Sequence, residues 1–321
     1  MRWKRVVGCR QRGRRTIYLG CRLGGSLSFT FSLPRTLGRT ISISQNNKGA
    51  TTLPNGQHYL QAPTRLFSPT SNVKVSYVAC GENHILTIST TGTFYAWGVN
   101  EGCRLGTVSH EANITGAPVR INLPHSRRMV RVAAGSMHSF AIDSIGGVWG
   151  WGLNLRGQID IDFGEDGYGE TIETPRRVSA MRGDSPVPAG SRVIDIACGE
   201  FHFVFLLDDG RIFTCGAYDG GKLGLGPGHI LVPVNKVHHP SVRISIAEPR
   251  EVRFPFPSRK LVRIMGIEAD SRRSMAWTEP HLLVWGMGDV GEVFQPTLVD
   301  LAGWNPVQVS CGGQHTLALF A

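Results

Sequence analysis

Short apolar runs alternate with glycine-rich turns along most of this 321-residue chain, and the alternation has a repeated internal spacing. In four units an apolar run leads through a tight turn to a histidine or arginine, and thirteen residues later a tryptophan or cysteine precedes glycine. The paired positions are His84 and Trp97, His138 and Trp151, His202 and Cys215, and Arg272 and Trp285. A fifth unit ends shortly after His315. Fixed spacing within units and variable spacing between them is typical of a structural repeat with loop insertions.

Each unit is predicted to contain short β-strands and no long helix. No stretch of ten or more residues shows the apolar period of a helix. About four short strands in roughly 55 residues is typical of a propeller blade. The sequence therefore predicts an all-β fold, a β-propeller with five recognisable units. The β-prone runs, bounded by glycine, aspartate and serine, include His84–Ser89, Thr93–Trp97, Phe203–Leu207 and Arg211–Thr214.

Two alternatives stay open for the ring of blades. The fifth unit ends after half a blade, and residues 16–28 have the spacing of the missing second half. Pairing of these N-terminal residues with the C-terminal half blade would close the ring and hide the edges that an open arc exposes. The other alternative is an incomplete arc that follows a tail without fixed structure.

The repeated residues are expected to have packing roles. Gly81, Gly135 and Gly199 are expected where a side chain would clash near the central channel. The histidines that follow are expected to bond neighbouring backbone, and the tryptophans to pack between adjacent blades. The histidine spacing does not match a zinc-binding helix, so no metal or other cofactor is expected.

Three segments resemble the repeats of the regulator of chromosome condensation family: 77–100 (YVACGENHILTISTTGTFYAWGVN), 132–158 and 196–226. The resemblance covers roughly residues 73–321. It implies a propeller of the kind found in exchange factors for the GTPase Ran, which have seven blades. Two runs, GLNLRGQ at 152–158 and YDGGKLG at 218–224, are similar to fungal Ran exchange factors in particular.

The resemblance also implies a function. It predicts guanine-nucleotide exchange on a Ran-type small GTPase, by preferential binding of the nucleotide-free state and without bond-making chemistry. Asn83 stands where the family has an acidic residue, and the nearest counterpart of the family's exchange loop is residues 20–29. The alternative is a propeller scaffold without exchange activity. The predicted GTPase-binding residues are Glu82, Asn83, His84, His138, Glu200, His202, Asp270 and His315.

The positive charge is concentrated at the N-terminus. The chain has 34 lysines and arginines against 24 acidic residues, and its first carboxylate is Glu82. We therefore divide it into a basic, acid-free segment, 1–72, and a propeller domain, 73–321. The segment can be a mitochondrial leader, a nuclear arm that binds DNA or chromatin, or a tail with no role. These alternatives place the protein in the nucleus or the mitochondrion. The candidate nucleic-acid contacts are Arg10, Arg12, Arg14 and Arg15.

The remaining motifs argue against an enzyme. The chain has neither a GxxxxGK[ST] phosphate loop nor a GxSxG nucleophile turn. Its seven cysteines lack CxxC spacing, so a reducing compartment is expected. The longest strongly apolar run, Phe201–Leu207, is too short to cross a membrane, and a monomer without membrane contact is expected. The acidic stretch 160–173 departs from the calcium-loop pattern and is expected to be a solvated loop.

Overall fold

A computed structural model of the chain describes most of the predicted propeller domain. Five short strands before residue 73 are also placed, as are Ile159 and residues 187–188. The continuous ranges described are 73–108, 114–123, 127–154, 171–178, 190–226, 245–256, 263–288, 291–311 and 316–320.

The N-terminal strands pair locally or with the first blade. They are β1 (Cys9–Gln11), β2 (Arg14–Thr16), β3 (Phe31–Ser32), β4 (Ala50–Thr52) and β5 (His58–Leu60). β1 pairs with β2, and β4 pairs with β5. β3 pairs with the first strand of the first blade, with Phe31 opposite Val78. Apart from Thr16, the residues predicted to close the ring (16–28) and the exchange-loop counterpart (20–29) lie outside the described residues.

Five antiparallel sheets follow in chain order; the first four are complete blades and the fifth is half a blade. The first blade contains β6 (Val75–Cys80), β7 (His84–Ser89), β8 (Phe94–Val99) and β9 (Ile114–Ile121). The second contains β10 (Met129–Ala134), β11 (His138–Asp143), β12 (Val148–Leu153) and β13 (Thr171–Arg177). The third contains β14 (Val193–Cys198), β15 (His202–Leu207), β16 (Ile212–Ala217) and β17 (Ser245–Glu251).

The fourth blade contains β18 (Ile264–Ala269), β19 (Arg273–Thr278), β20 (Leu282–Gly288) and β21 (Gly291–Val299). The fifth is a half blade of β22 (Pro306–Cys311) and β23 (Thr316–Phe320). Successive blades pack through their first two strands: β10 on β6 and β7, β14 on β10 and β11, and β18 on β14 and β15. The predicted all-β propeller with about four strands per unit is thereby confirmed.

Tryptophans fill the junctions between blades, as the repeat spacing predicts. Trp151 is fully buried in the second blade, and its ring meets Phe94 of the first blade edge to face, with centroids 5.5 Å apart. Its indole nitrogen donates to the carbonyl oxygen of Arg104, at 2.9 Å. A methyl group on Gly106 (φ +79°) would lie 2.9 Å from that nitrogen, so only glycine permits this approach. The second blade is therefore anchored to the chain that leaves the third strand of the first.

The fourth blade departs from the spacing read in the sequence. In the first blade His84 pairs with Gly98, whereas in the fourth Arg273 pairs with Gly286. The reason is a hairpin turn that is one residue shorter between the second and third strands. Arg273, and not Arg272, therefore occupies the histidine position, and Asp270 occupies the position of Gly81, because its amide bonds the Arg273 carbonyl oxygen.

Candidate partner-binding face

One end of the blades is formed by the turns between first and second strands, at 81–83, 135–137, 199–201 and 270–272. We call this end the turn face. Two 3₁₀ turns, Glu101–Cys103 and Asp219–Gly221, lie on the same face. The amide of Val99 bonds the Asn83 carbonyl oxygen, and that of Ala217 bonds the Phe201 carbonyl oxygen, each at 2.8 Å. Each third strand therefore ends beside a turn of the same blade.

Two of the repeated histidines join neighbouring blades through a serine. His84 Nε2 lies 2.7 Å from Ser139 Oγ in the next blade, and that hydroxyl donates to the carbonyl oxygen of Arg104, at 2.7 Å. A serine hydroxyl has one proton, so it must accept from Nε2–H of His84. The histidine side chains thus bond a hydroxyl, where the sequence predicted backbone. The same chain of bonds runs from His202 through Ser274 to the carbonyl oxygen of Lys222.

The second histidine lacks this connection. Ser139 in the second blade and Ser274 in the fourth each follow the first residue of the second strand. In the third blade that position is occupied by Phe203. Phe203 instead meets Phe140, with ring centroids 4.5 Å apart. The junction between the second and third blades is therefore held by aromatic packing.

Burial keeps the three histidines neutral. Together with the nearby charge of Arg104, it lowers the pKa of His138 to about 3 and holds the pKa of His84 well below its ordinary value. Burial and the charge of Lys222 hold the pKa of His202 well below its ordinary value. In the unfolded chain these histidines take up protons near pH 6.5, whereas in the folded chain they stay neutral. The free energy of unfolding is therefore highest above that pH and falls as the pH drops below it.

Replacing His202 with glutamine should reduce the acid sensitivity of the fold. Glutamine keeps a donor for Ser274 but takes up no proton when the chain unfolds. Between about pH 7 and about pH 5, the unmodified protein should lose roughly 2 kcal/mol more stability than His202→Gln. Urea unfolding at both pH values measures the difference. Parallel losses in the two proteins would contradict a neutral His202.

An ion pair replaces the glycine and histidine in the fourth blade. A methyl group on Gly135 would lie 2.6 Å from the Gly199 carbonyl oxygen and 2.7 Å from Nε2 of His138, so a larger residue does not fit beside this histidine. In the fourth blade Asp270 Oδ2 accepts from Nε of Arg273, at 2.9 Å. Asp270 Oδ1 also accepts from the backbone amides at 272 and 273, at 2.9 Å. The two changes therefore compensate for each other.

Carboxylates dominate the exposed part of the turn face in the first and third blades, whereas the fourth blade exposes Arg272. The Glu82 side chain is exposed and accepts a hydrogen bond from the Ser136 hydroxyl of the next blade, and Glu200 is half-buried. The side chains of Glu101 and Asp219 are 70% and 60% exposed. Their cationic partners, Arg104 and Lys222, are buried beneath them, at 3.2 and 3.1 Å. The negative charges are thus outermost, which favours a partner with a basic surface.

The structure separates the predicted contact residues into two groups. The side chains of His84, His138, His202 and Asp270 are buried in the blade junctions, where they shape the turns. Glu82, Asn83 and Glu200 lie in those turns and are at least partly exposed. His315 and Arg12 lie outside the described residues, and Arg10, Arg14 and Arg15 are described only as members of β1 and β2.

Sequence reasoning missed the second pair of carboxylates and the bases beneath them. Glu101 and Asp219 each lie four residues after the tryptophan position of their unit, and Arg104 and Lys222 lie seven after it. Alignment of the units over these positions would have found both pairs. Among the described residues, no group of three or more His, Cys, Asp or Glu is placed to hold a metal ion. The described part of the chain also contains no helix long and apolar enough to cross a membrane.

A family model of the RCC1-like domain matches residues 21–318. The chain belongs to the RCC1-like domain family. The resemblance inferred from the repeat motifs is thereby confirmed, and the match begins well before the first complete blade.

Protein pim1 of Schizosaccharomyces pombe is 28% identical to this RCC1-like chain over 272 residues, which are 79% of this chain and 46% of pim1. The probable E3 ubiquitin-protein ligase HERC3 of Homo sapiens is 33% identical over 163 residues, 51% of this chain and 14% of HERC3. The chain thus spans less than half the length of these curated relatives.

Solved structures of RCC1-like propellers superpose on the chain. Prp20p of Saccharomyces cerevisiae, described with its binding to Gsp1p and histones, has a TM-score of 0.66 at 23% identity, over 88% of this chain and 64% of Prp20p. Human WBSCR16 has a TM-score of 0.64 at 22% identity, over 84% of this chain and 64% of WBSCR16. At these identities the likeness shows the fold alone.

Proposed function

We propose that this protein binds a Ran-type small GTPase through its turn face and promotes release of GDP without bond-making chemistry. The observation that carries the proposal is the set of outward-facing carboxylates at fixed repeat positions, two in the first blade and two in the third. Family membership and the likeness to Prp20p, which is described with its binding to Gsp1p, support the choice of partner.

The structure suggests how such a face would act. Exchange requires tighter binding to the nucleotide-free GTPase than to the loaded form. Glu82 belongs to a turn that is bonded across the blade junction, with its amide 3.2 Å from the Gly135 carbonyl oxygen. Arg104 also donates to the Ser136 carbonyl oxygen in the next blade, at 3.0 Å. Carboxylates on turns held in this way keep fixed positions. They can therefore bind one arrangement of basic groups on the GTPase better than another, and such preorganisation supports preferential binding of one state.

The same comparisons support a location. Prp20p is described with its binding to histones, so we place the protein in the nucleus, with chromatin as a further partner through the basic segment 1–72. The propeller domain is taken to act as a monomer and to need no cofactor.

Removal of the turn-face carboxylates should weaken GTPase binding without loss of stability. We expect Glu82→Ala and Glu200→Ala each to raise the Kd for nucleotide-free Ran about five- to tenfold, because each loses a charge at the interface. The measurement is fluorescent-GDP release from Ran and titration binding, with residues 1–321. The matched control is Asp209→Ala, an exposed carboxylate on the opposite face that pairs with Arg211.

The outcomes are distinct. Acceleration of GDP release by the unmodified chain, lost in Glu82→Ala and Glu200→Ala and kept in Asp209→Ala, supports exchange through the turn face. Binding to Ran without acceleration favours the scaffold alternative on the same face. No binding to Ran by the folded, unmodified chain overturns the proposal.

A further inference from the structure

The end of the blades opposite the turn face has its own repeated feature. We call it the hairpin face, because the turns between second and third strands lie there. A basic residue stands directly before the first strand of every blade from the first to the fourth, and each of these four side chains is exposed. The four residues are Lys74, Arg128, Arg192 and Arg263. Nothing in the turn-face proposal uses them.

Three of these basic residues are fixed to the hairpin turn of their own blade. The Lys74 carbonyl oxygen accepts from the Thr90 amide at 2.7 Å, and the Arg128 carbonyl oxygen accepts from the Ser144 amide at 2.9 Å. The Arg192 carbonyl oxygen accepts from the amide of residue 208, at 2.9 Å. The three Cα positions are therefore held by the blade and not by a mobile loop.

The same residues form a continuous line across blade junctions. The side chain of Arg128, in the second blade, packs over Gly92 in the turn of the first. The side chain of Arg192, in the third blade, packs over Gly146 in the turn of the second, where a methyl group would lie 3.3 Å from its Cβ. The aliphatic stems are thus supported while the side chains remain exposed. The line runs from Lys74 through Arg128 to Arg192.

Exposed aliphatic side chains accompany the basic ones. Val130 and Ile194 each lie two residues after an arginine, at a bulge in the first strand, and are 38% and 46% exposed. Ile145 is 56% exposed at the tip of the turn in the second blade. That turn is rigid, because the buried Asp143 accepts from the amides of residues 145 and 147, at 3.1 and 2.7 Å. We call Lys74, Arg128, Arg192, Val130, Ile145 and Ile194 the basic–apolar arc.

The described, exposed carboxylates on the hairpin face lie at the third and fourth blades, and Asp208 stands beside Arg192 at that end of the arc. Asp209 pairs with Arg211, and the Asp208 carboxylate accepts from the backbone amide of residue 192, at 3.2 Å. Glu279 is in the fourth blade. The turns at 90–92 and 144–146 contain no acidic residue, and Asp143 is buried and bonded within its turn. The described hairpin turns of the first two blades therefore present no exposed carboxylate beside Lys74 and Arg128.

We infer that the basic–apolar arc is a docking site for an acidic polypeptide segment that also carries apolar side chains. The guanidinium and ammonium groups of the arc would pair with carboxylates of the segment, and the aliphatic side chains of the arc would pack against its apolar residues. Nucleic acid fits the arc less well. For a single strand, phosphates would use the cations, but Val130, Ile145 and Ile194 offer no aromatic surface on which bases stack. The site is independent of GTPase binding because it lies at the opposite end of the blades.

The test uses the full chain and two fluorescein-labelled peptides of equal charge, one of Glu-Glu-Leu repeats and one of Glu-Glu-Ser repeats. Fluorescence anisotropy should show the leucine peptide bound about tenfold more tightly than the serine peptide. Arg128→Glu with Arg192→Glu should weaken both peptides at least about tenfold. Ile145→Ser should weaken only the leucine peptide, about threefold. The matched control is Arg120→Glu, an exposed arginine on the outer strand β9, which should change neither.

A second variant guards against damage to the fold. Arg128→Gln keeps the stem that packs over Gly92 and removes the charge together with one long, exposed hydrogen bond to the Thr90 carbonyl oxygen. It should weaken both peptides with an unchanged urea midpoint. Equal binding of the two peptides, or no effect of the arginine variants, overturns the inference. Tighter binding of a mixed-sequence DNA strand than of either peptide, lost in the double variant, would also overturn it and assign the arc to nucleic acid.

Discussion

Trp151→Ala should lower the free energy of unfolding by about 4 kcal/mol, a value within the range measured for loss of a fully buried tryptophan. Trp151 has no exposed surface, packs against Phe94 of the preceding blade, and donates its indole N–H to the Arg104 carbonyl oxygen. The substitution opens a cavity at the junction and also removes one of the two donors to that carbonyl. Ser139 would remain as the other donor.

The matched control for this prediction is Trp304→Ala, because the Trp304 side chain is 58% exposed. Its loss should change the free energy of unfolding by less than about 0.5 kcal/mol. Urea unfolding of the two variants, followed by circular dichroism, measures both values. Equal destabilisation by the two substitutions would contradict the role of Trp151 as the anchor between blades.

Asp270→Ala should cost about 3 kcal/mol, because it leaves the guanidinium of Arg273 without its buried partner. The Asp270 side chain is 2% exposed, whereas that of Arg273 is 23% exposed and keeps some access to water. The loss should therefore fall near the lower end of the range for broken buried pairs. The two backbone amides bonded by Oδ1 also lose their acceptor.

Two further variants make this prediction specific. Asp209→Ala removes an exposed aspartate whose partner, Arg211, is also close in sequence. It should lower the free energy of unfolding by less than about 1 kcal/mol. The double change Asp270→Gly with Arg273→His restores the glycine and histidine of the other blades, and should be more stable than Asp270→Ala. If Asp270→Ala unfolds at the same urea concentration as Asp209→Ala, the ion pair does not hold the fourth blade.

The strands were predictable because glycine, aspartate and serine turns interrupt the apolar runs at a regular spacing. His84–Ser89 matches the observed β7, and the predicted run Phe203–Leu207 falls within β15. The fourth unit was misread because spacing alone cannot show a turn that is shorter by one residue. Strand pairing identifies Arg273 as the residue opposite Gly286, and an ion pair between neighbouring turn residues then explains the missing glycine.

The candidate site divides along a similar line. The repeat positions of Glu82 and Glu200 could be read from the sequence, because each follows the turn glycine of its unit. A packing role for the histidines was also predicted, but their bonding partner was not, since the serine hydroxyl comes from the next blade. The basic–apolar arc was also hidden, because Lys74, Arg128 and Arg192 are separated by whole blades along the chain.

The amino-acid sequence by itself determined the repeat, the strand class and the family, because these depend on short-range alternation and on turn-forming residues at fixed spacing. The tertiary structure decided which repeated side chains face outward and which lie between blades. Whether a side chain is buried at a junction is decided by residues more than fifty positions away, such as Ser139 for His84. The propeller therefore separates chemically similar residues into those that hold the blades together and those available to a partner.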